Sequence, residues 1–193
     1  MFRRPAKRWE KSVRRHFDFL TGYGFRLDHV ENRWWATTAV YLSAMLGIAV
    51  TRSVEFDRVE ITLMRLVDGQ VPEPEVWVTD RRLDSVLFDN VVEARRPDLL
   101  DQLPAGLSKE ATAEQLQLYA DLLRMMAPDF LEGSDAALVE GERVIRARVE
   151  ANPQVLTIWL PADASEADET KARAEAERVN PSDVRIVVRR YAR

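Results

Sequence analysis

The chain has 193 residues, 46% of them apolar and 31% charged, with 28 Lys and Arg against 32 Asp and Glu, giving a formal net charge of −4. That is enough apolar content to offset the entropy of ordering one core, and too short a chain for several independent domains. The absence of cysteine from the sequence excludes disulfides, thiolate nucleophiles, iron–sulfur ligation and every Cys-based zinc site.

The opening MFRRPAKRWEK is basic and lacks an apolar signal core. The longest apolar run, AVYLSAMLGIAV, contains Tyr41 and Ser43 and falls short of the roughly 20 residues a spanning helix needs. A cytoplasmic protein is expected. Trp9, Val13, Phe17 and Leu20 recur at helical spacing, which predicts a helix over 6–20 ended by Gly22 and Gly24. Four β-rich runs follow, FRLDHV, WWATTAVYLSA, GIAVTRSV and RVEITLMRLV, and their short connections favour an antiparallel meander. Pro72 and Pro74 make VPEPEVWV an edge or a tether rather than a central strand.

From there the pattern is helical, with short helices expected over 81–88 and near 96–102. Thr112 and Gln115 read as a capping box ahead of a stripe of Leu116, Tyr119, Ala120, Leu123 and Met126, stopped by Pro128. Ser134 can cap another helix, whose Ala137, Leu138, Gly141, Val144, Ile145 and Val149 share a face. Finally, VLTIWL, an Ala-rich helix opened by Ser165 and Asp168, and VRIVVRRY form a β-α-β unit, whose crossover implies parallel strands. The expected fold is therefore α+β: an N-terminal helix, an antiparallel β-meander, a helical middle and a C-terminal β-α-β unit. The main domain is expected over 1–150, with a small unit over 151–193 docked on it.

No catalytic, cofactor or metal motif accompanies this pattern. Gly22-x-Gly24 lacks a third glycine and follows a helix, so it reads as a turn and not as a phosphate cradle. His16 and His29 have no motif around them and read as structural. The carboxylate pairs Glu73 and Glu75, Glu140 and Glu142, and Glu175 and Glu177 read as solvated surface. No cofactor is expected. Three features carry functional weight. Arg3, Arg4, Lys7, Arg8, Lys11, Arg14 and Arg15, opposed only by Glu10, can bind phosphates or anionic lipid, although a solvated first helix packed on a sheet explains them too. Trp34, Trp35 and Trp77, with Glu73 and Glu75, form a candidate partner-binding region, with core packing as the plainer role for the aromatics. Between Asp80 and Glu142, fourteen acids face six bases, enough to steer a basic partner.

A helix followed by Phe19-Leu20, Tyr23-Gly24-Phe25, then Val40-Tyr41-Leu42-Ser43 with Gly47 to Val50, and later Leu131 and Gly133, resembles small bacterial α+β proteins of the polymorphic-toxin immunity type. The resemblance runs from Phe17 to Arg148 and leaves out the final β-α-β unit. It implies a non-enzymatic, protein-binding role against a basic partner, through the acidic helical surface or the Trp-Pro-Glu region. The alternatives are association with nucleic acid or an anionic membrane through residues 1–16, and an enzyme with an unrecognised carboxylate site.

Overall fold

The computed structural model describes residues 3–53, 58–72, 82–103, 111–151, 155–161, 165–179 and 185–191. The chain divides into two compact units, one of Met1–Pro74 and Leu83–Val144, the other of Glu75–Arg82 and Ile145–Arg193.

In the first unit, helix α1 (Arg3–Phe17) buries Trp9, Val13 and Phe17, the stripe that its spacing predicts. Instead of continuing to Leu20 as an α-helix, the chain tightens into a 3-10 turn over Asp18–Tyr23. Gly24, at φ +83°, ends it in the left-handed conformation that glycine adopts at no steric cost. Strands β1 (Arg26–Asn32), β2 (Ala36–Leu42), β3 (Leu46–Ser53) and β4 (Arg58–Arg65) form the expected antiparallel meander. A fifth strand, β5 (Ser85–Leu87), pairs antiparallel with Thr62–Met64 of β4.

Cross-strand partners share a face. The rows Tyr41–Ile48–Leu63–Val86 and Ala39–Val50–Ile61 therefore build one core face. Helices α1, α2 (Phe88–Arg95) and α3 (Ala111–Met126) pack against this sheet, and these strand residues are all buried. The opposite face carries a smaller cluster of Val40, Ala49 and Met64 with Leu42 against it.

Two sequence expectations change. The short helix expected over 81–88 is strand β5 at 85–87, and the helix begins only at Phe88: pairing with β4 overrides local propensity, and Val86 joins the core row. The capping role expected of Thr112 lies outside the described residues, while Gln115 accepts the Val59 amide at 3.3 Å, tying α3 to β4. Glu140 and Glu142 are not freely solvated, since Glu140 binds Arg95 and Glu142 is buried. The apolar stripe of α3 is buried as its spacing predicts. After the short α4 (Pro128–Leu131), α5 (Ala136–Ala151) starts with the Ser134 hydroxyl accepting the Ala136 amide at 3.3 Å.

In the second unit, β6 (Val155–Pro161) and β7 (Arg185–Tyr191) pair in parallel around α6 (Glu166–Val179). The predicted cap is present: the Ser165 hydroxyl donates to Asp168 at 2.7 Å and accepts the Asp168 amide at 3.2 Å. Among the described residues, no helix is long and apolar enough to cross a membrane.

Candidate functional site

Three turns of the first unit meet around an open cleft of about 490 Å³. The first is the 3-10 turn: the Gly24 amide donates to Thr21 O and the Phe25 amide to Leu20 O, both at 3.1 Å. It presents Tyr23, whose ring meets Phe19 edge-on at 6.4 Å, and sends Phe25 into the core. The second is the β2–β3 hairpin, where the Ser43 amide donates to Leu46 O at 2.8 Å and the Ser43 hydroxyl accepts the Leu46 amide at 3.2 Å. The Ala44-Met45 tip leaves Met45 70% exposed over the cleft. The third follows α4: Gly133, at φ +98°, donates to Phe130 O at 3.1 Å. Beneath them Phe25 stacks on Phe130 at 6.2 Å, joining the first and third turns through the core.

The walls are mostly apolar, from Tyr23, Phe25, Met45, Leu46 and Leu131, with Glu132 the carboxylate among the lining residues. Glu132 is exposed and makes no ion pair among the described residues. Two arginines tie together the elements that flank this turn in sequence, α4 and α5. Arg95 donates to Asp129 at 2.6 and 2.9 Å, to Glu140 at 2.5 Å and to the Met126 carbonyl. One guanidinium thus serves two carboxylates, leaving that cluster with a net negative charge. The Arg95 hydrogen bond holds the Asp129 carboxyl below its ordinary range and raises the guanidinium in return. Arg65 donates to Asp135 at 3.1 Å, to Asp84 at 3.2 Å and to Leu83 O at 3.0 Å, fixing the start of α5 to β4 and β5. Chemically, this is a recess that accepts an apolar group and places a negative charge at its edge.

The far end of the same sheet holds two of the expected site residues. The Arg33 amide donates to Ala36 O at 2.8 Å and the Ala36 amide to Arg33 O at 3.3 Å, which closes the β1–β2 hairpin around Trp34 and Trp35. Trp34 is 89% exposed and Trp35 38%. The Arg33 guanidinium lies 5.7 Å from the Trp35 ring centre and donates to Glu31 at 2.7 Å, so Trp35 is engaged while Trp34 projects. Glu73, Glu75 and Trp77, expected beside these tryptophans, lie outside the described residues.

Of the basic residues, Arg3, Arg4, Lys7 and Arg8 fall on α1 with side chains outside the described set. Lys11, Arg14 and Arg15 are exposed, and Arg14 is paired with Glu10 at 2.9 Å. His16 bonds within its own helix to Ser12 O at 2.7 Å, and His29 meets Asp28 at 2.7 Å on an exposed strand. Among the described residues, no group of three His, Asp or Glu side chains is placed to hold a metal ion.

Sequence reasoning noticed Gly22, Gly24, Leu131 and Gly133 as motif positions but did not join them into a cleft. Ser43 entered only as a polar break in an apolar run and as a motif position, not as the clamp of the β2–β3 turn, and no local signal marked Glu132. No known family model matches the chain, nor does any curated protein or solved structure. The likeness to immunity-type proteins therefore rests on the motif residues alone.

Proposed function

We propose that this chain is a non-enzymatic, immunity-like protein that masks a basic segment of a partner protein in the cleft between its three turns. One observation carries the reading: an apolar recess of about 490 Å³ has the exposed carboxylate of Glu132 among its lining, directly after the helix α4 whose Asp129 belongs to the doubly acidic Arg95 cluster. The occupant is a partner segment with an arginine or lysine next to an apolar side chain. Its apolar part leaves water against Met45 and Tyr23, and its cation faces Glu132. The wider charge points the same way, because residues 80–142 hold fourteen acids against six bases, a field that raises the encounter rate with a basic protein.

The test is co-expression with the products of the genes that flank its own, comparing wild type with Glu132→Lys and Met45→Asp. A basic protein that co-purifies with wild type and binds at least about tenfold more weakly to Glu132→Lys at low salt supports the proposal. A partner held equally well by both variants removes the cleft from the interaction.

A further inference from the structure

The two outer strands of the five-stranded sheet are unequal. β5 is three residues long, whereas β1 runs for seven, with Arg26, Asp28, His29, Glu31 and Asn32 exposed and Leu27 and Val30 half-buried. Among the described residues nothing pairs with the outer side of β1. A free edge of that length is a template for another strand, and proteins usually blunt such edges with bulges and charges. β1 has a bulge and has charges, yet neither is arranged to turn a second strand away.

The ladder decides which backbone groups face outward. Arg33 and Ala36 exchange both hydrogen bonds at the hairpin end, so by alternation Glu31 and His29 turn their N–H and C=O groups toward β2, and Val30 turns its own outward. In a regular strand Leu27 would then lie on the opposite face from Val30. The extra residue between Leu27 and His29 reverses the alternation. Leu27 pairs with Tyr41 and Val30 with Ala39, both on the core face, so the two apolar residues share that face and both offer their backbone groups to the free edge. Arg26 and Glu31, opposite Leu42 and Thr38, fall on the other face.

We propose that β1 pairs antiparallel with β1 of a second copy of this chain, about a two-fold axis that passes between Asp28 and His29. The order of residues is its own complement in that register. Leu27 meets Val30 of the partner subunit, Arg26 meets Glu31 of the partner subunit, and Asp28 meets His29 of the partner subunit. The apolar pair lies on the core face and the Arg26–Glu31 pair on the other, as partners in one sheet must. Because both strands carry the same bulge, they stay in step, where a bulge in one alone would slip the register. Arg26 makes no ion pair among the described residues, and the neighbours that hold Asp28 and Glu31, His29 and Arg33, do so through exposed pairs that exchange at little cost. A foreign strand has no reason to match this alternation of charge, so a second copy is the better occupant. The contact is smaller than a standard interface, which makes the dimer weak, forming at roughly 0.1 mM. It does not depend on the role proposed for the cleft.

The experiment is sedimentation equilibrium of the full chain at low salt, over concentrations from about 10 µM to about 1 mM. The variants are Val30→Pro, Arg26→Glu, Glu31→Arg and the double exchange Arg26→Glu with Glu31→Arg. Val30→Pro removes a donor that points outward and that the chain's own ladder does not use. The charge variants alter exposed side chains only, so their melting curves should match wild type and they decide the matter even if Val30→Pro unfolds. We expect wild type to dimerise within this range and Val30→Pro to stay monomeric. Each single reversal should weaken the dimer at least about tenfold, since symmetry creates the like-charge contact twice. The double exchange should return to within about threefold of wild type, because it restores opposite charges across the axis. Three results overturn the proposal: a wild type that is still monomeric at the highest concentration, a dimer that a folded Val30→Pro leaves intact, or a double exchange that associates no better than the single reversals.

Discussion

Two hairpin turns at opposite ends of one sheet carry the most exposed large apolar residues of the described chain, Met45 at 70% and Trp34 at 89%, yet they sit in different surroundings. Met45 overhangs a recess whose other walls come from the 3-10 turn and the α4–α5 connection, so its tip belongs to a concave site built by distant parts of the chain. Trp34 stands on a convex tip whose named contacts are local, from Arg33 to Trp35 and from Thr37 to Asn32. The cleft end should therefore be coupled to the stability of the first unit, whereas the tryptophan end should be nearly free of it.

The largest effect is expected at the floor of the cleft. Phe130 is fully buried against Phe25, and Phe130→Ala should cost about 4 kcal/mol in urea unfolding, because the cavity it leaves cannot collapse while Phe25 is held by the sheet. A loss below about 1 kcal/mol would show that the two turns are not joined through this stack.

Next in size is Arg95→Ala. Its side chain is 22% exposed and serves Asp129, Glu140 and the Met126 carbonyl, so removing it should cost about 2–3 kcal/mol after allowance for partial solvation. A pH signature accompanies it. The folded pKa of Asp129 is depressed, chiefly by the Arg95 hydrogen bond, so its contribution is present above the ordinary carboxyl pKa of about 4 and is lost as the pH falls below that. Wild type should lose stability in acid more steeply than Arg95→Ala; parallel acid profiles would show that this pair contributes little.

The smallest effect belongs to the other end. Replacing Trp34-Trp35 by Asn-Gly gives the turn its preferred residues while giving up the Arg33 contact, and the two should nearly cancel, within about 0.5 kcal/mol. A loss of 2 kcal/mol or more would mean that the tryptophans support the fold, and the contrast between the two ends would fail.

The elements that the sequence announced are those whose burial pattern is periodic. Trp9, Val13 and Phe17 mark α1, the alternating runs mark the meander, and Ser165 with Asp168 marks α6 through a bond that closes within four residues. What stayed hidden depends on contacts between distant residues. Strand β5 is three residues long and exists because β4 offers it an edge, and Gln115 reaches Val59, 56 positions away. The cleft was illegible for the same reason: its walls come from three turns between Gly22 and Gly133, and nothing near Glu132 in sequence says that Met45 is across from it. Trp34 could be read as a binding candidate because its character is local, but whether an indole is buried or exposed is decided by the rest of the fold.

The most direct measurement is a backbone amide chemical-shift titration of the isotope-labelled full chain with a short synthetic peptide of alternating arginine and leucine, beside a peptide in which glutamate replaces arginine. We expect the arginine peptide to shift residues 22–25, 43–46 and 131–133 together, leave Trp34 and its neighbours unmoved, and weaken with Glu132→Lys, while the glutamate peptide does nothing. Equal shifts from both peptides, or shifts confined to residues outside the three turns, would contradict a cleft built to receive a basic segment.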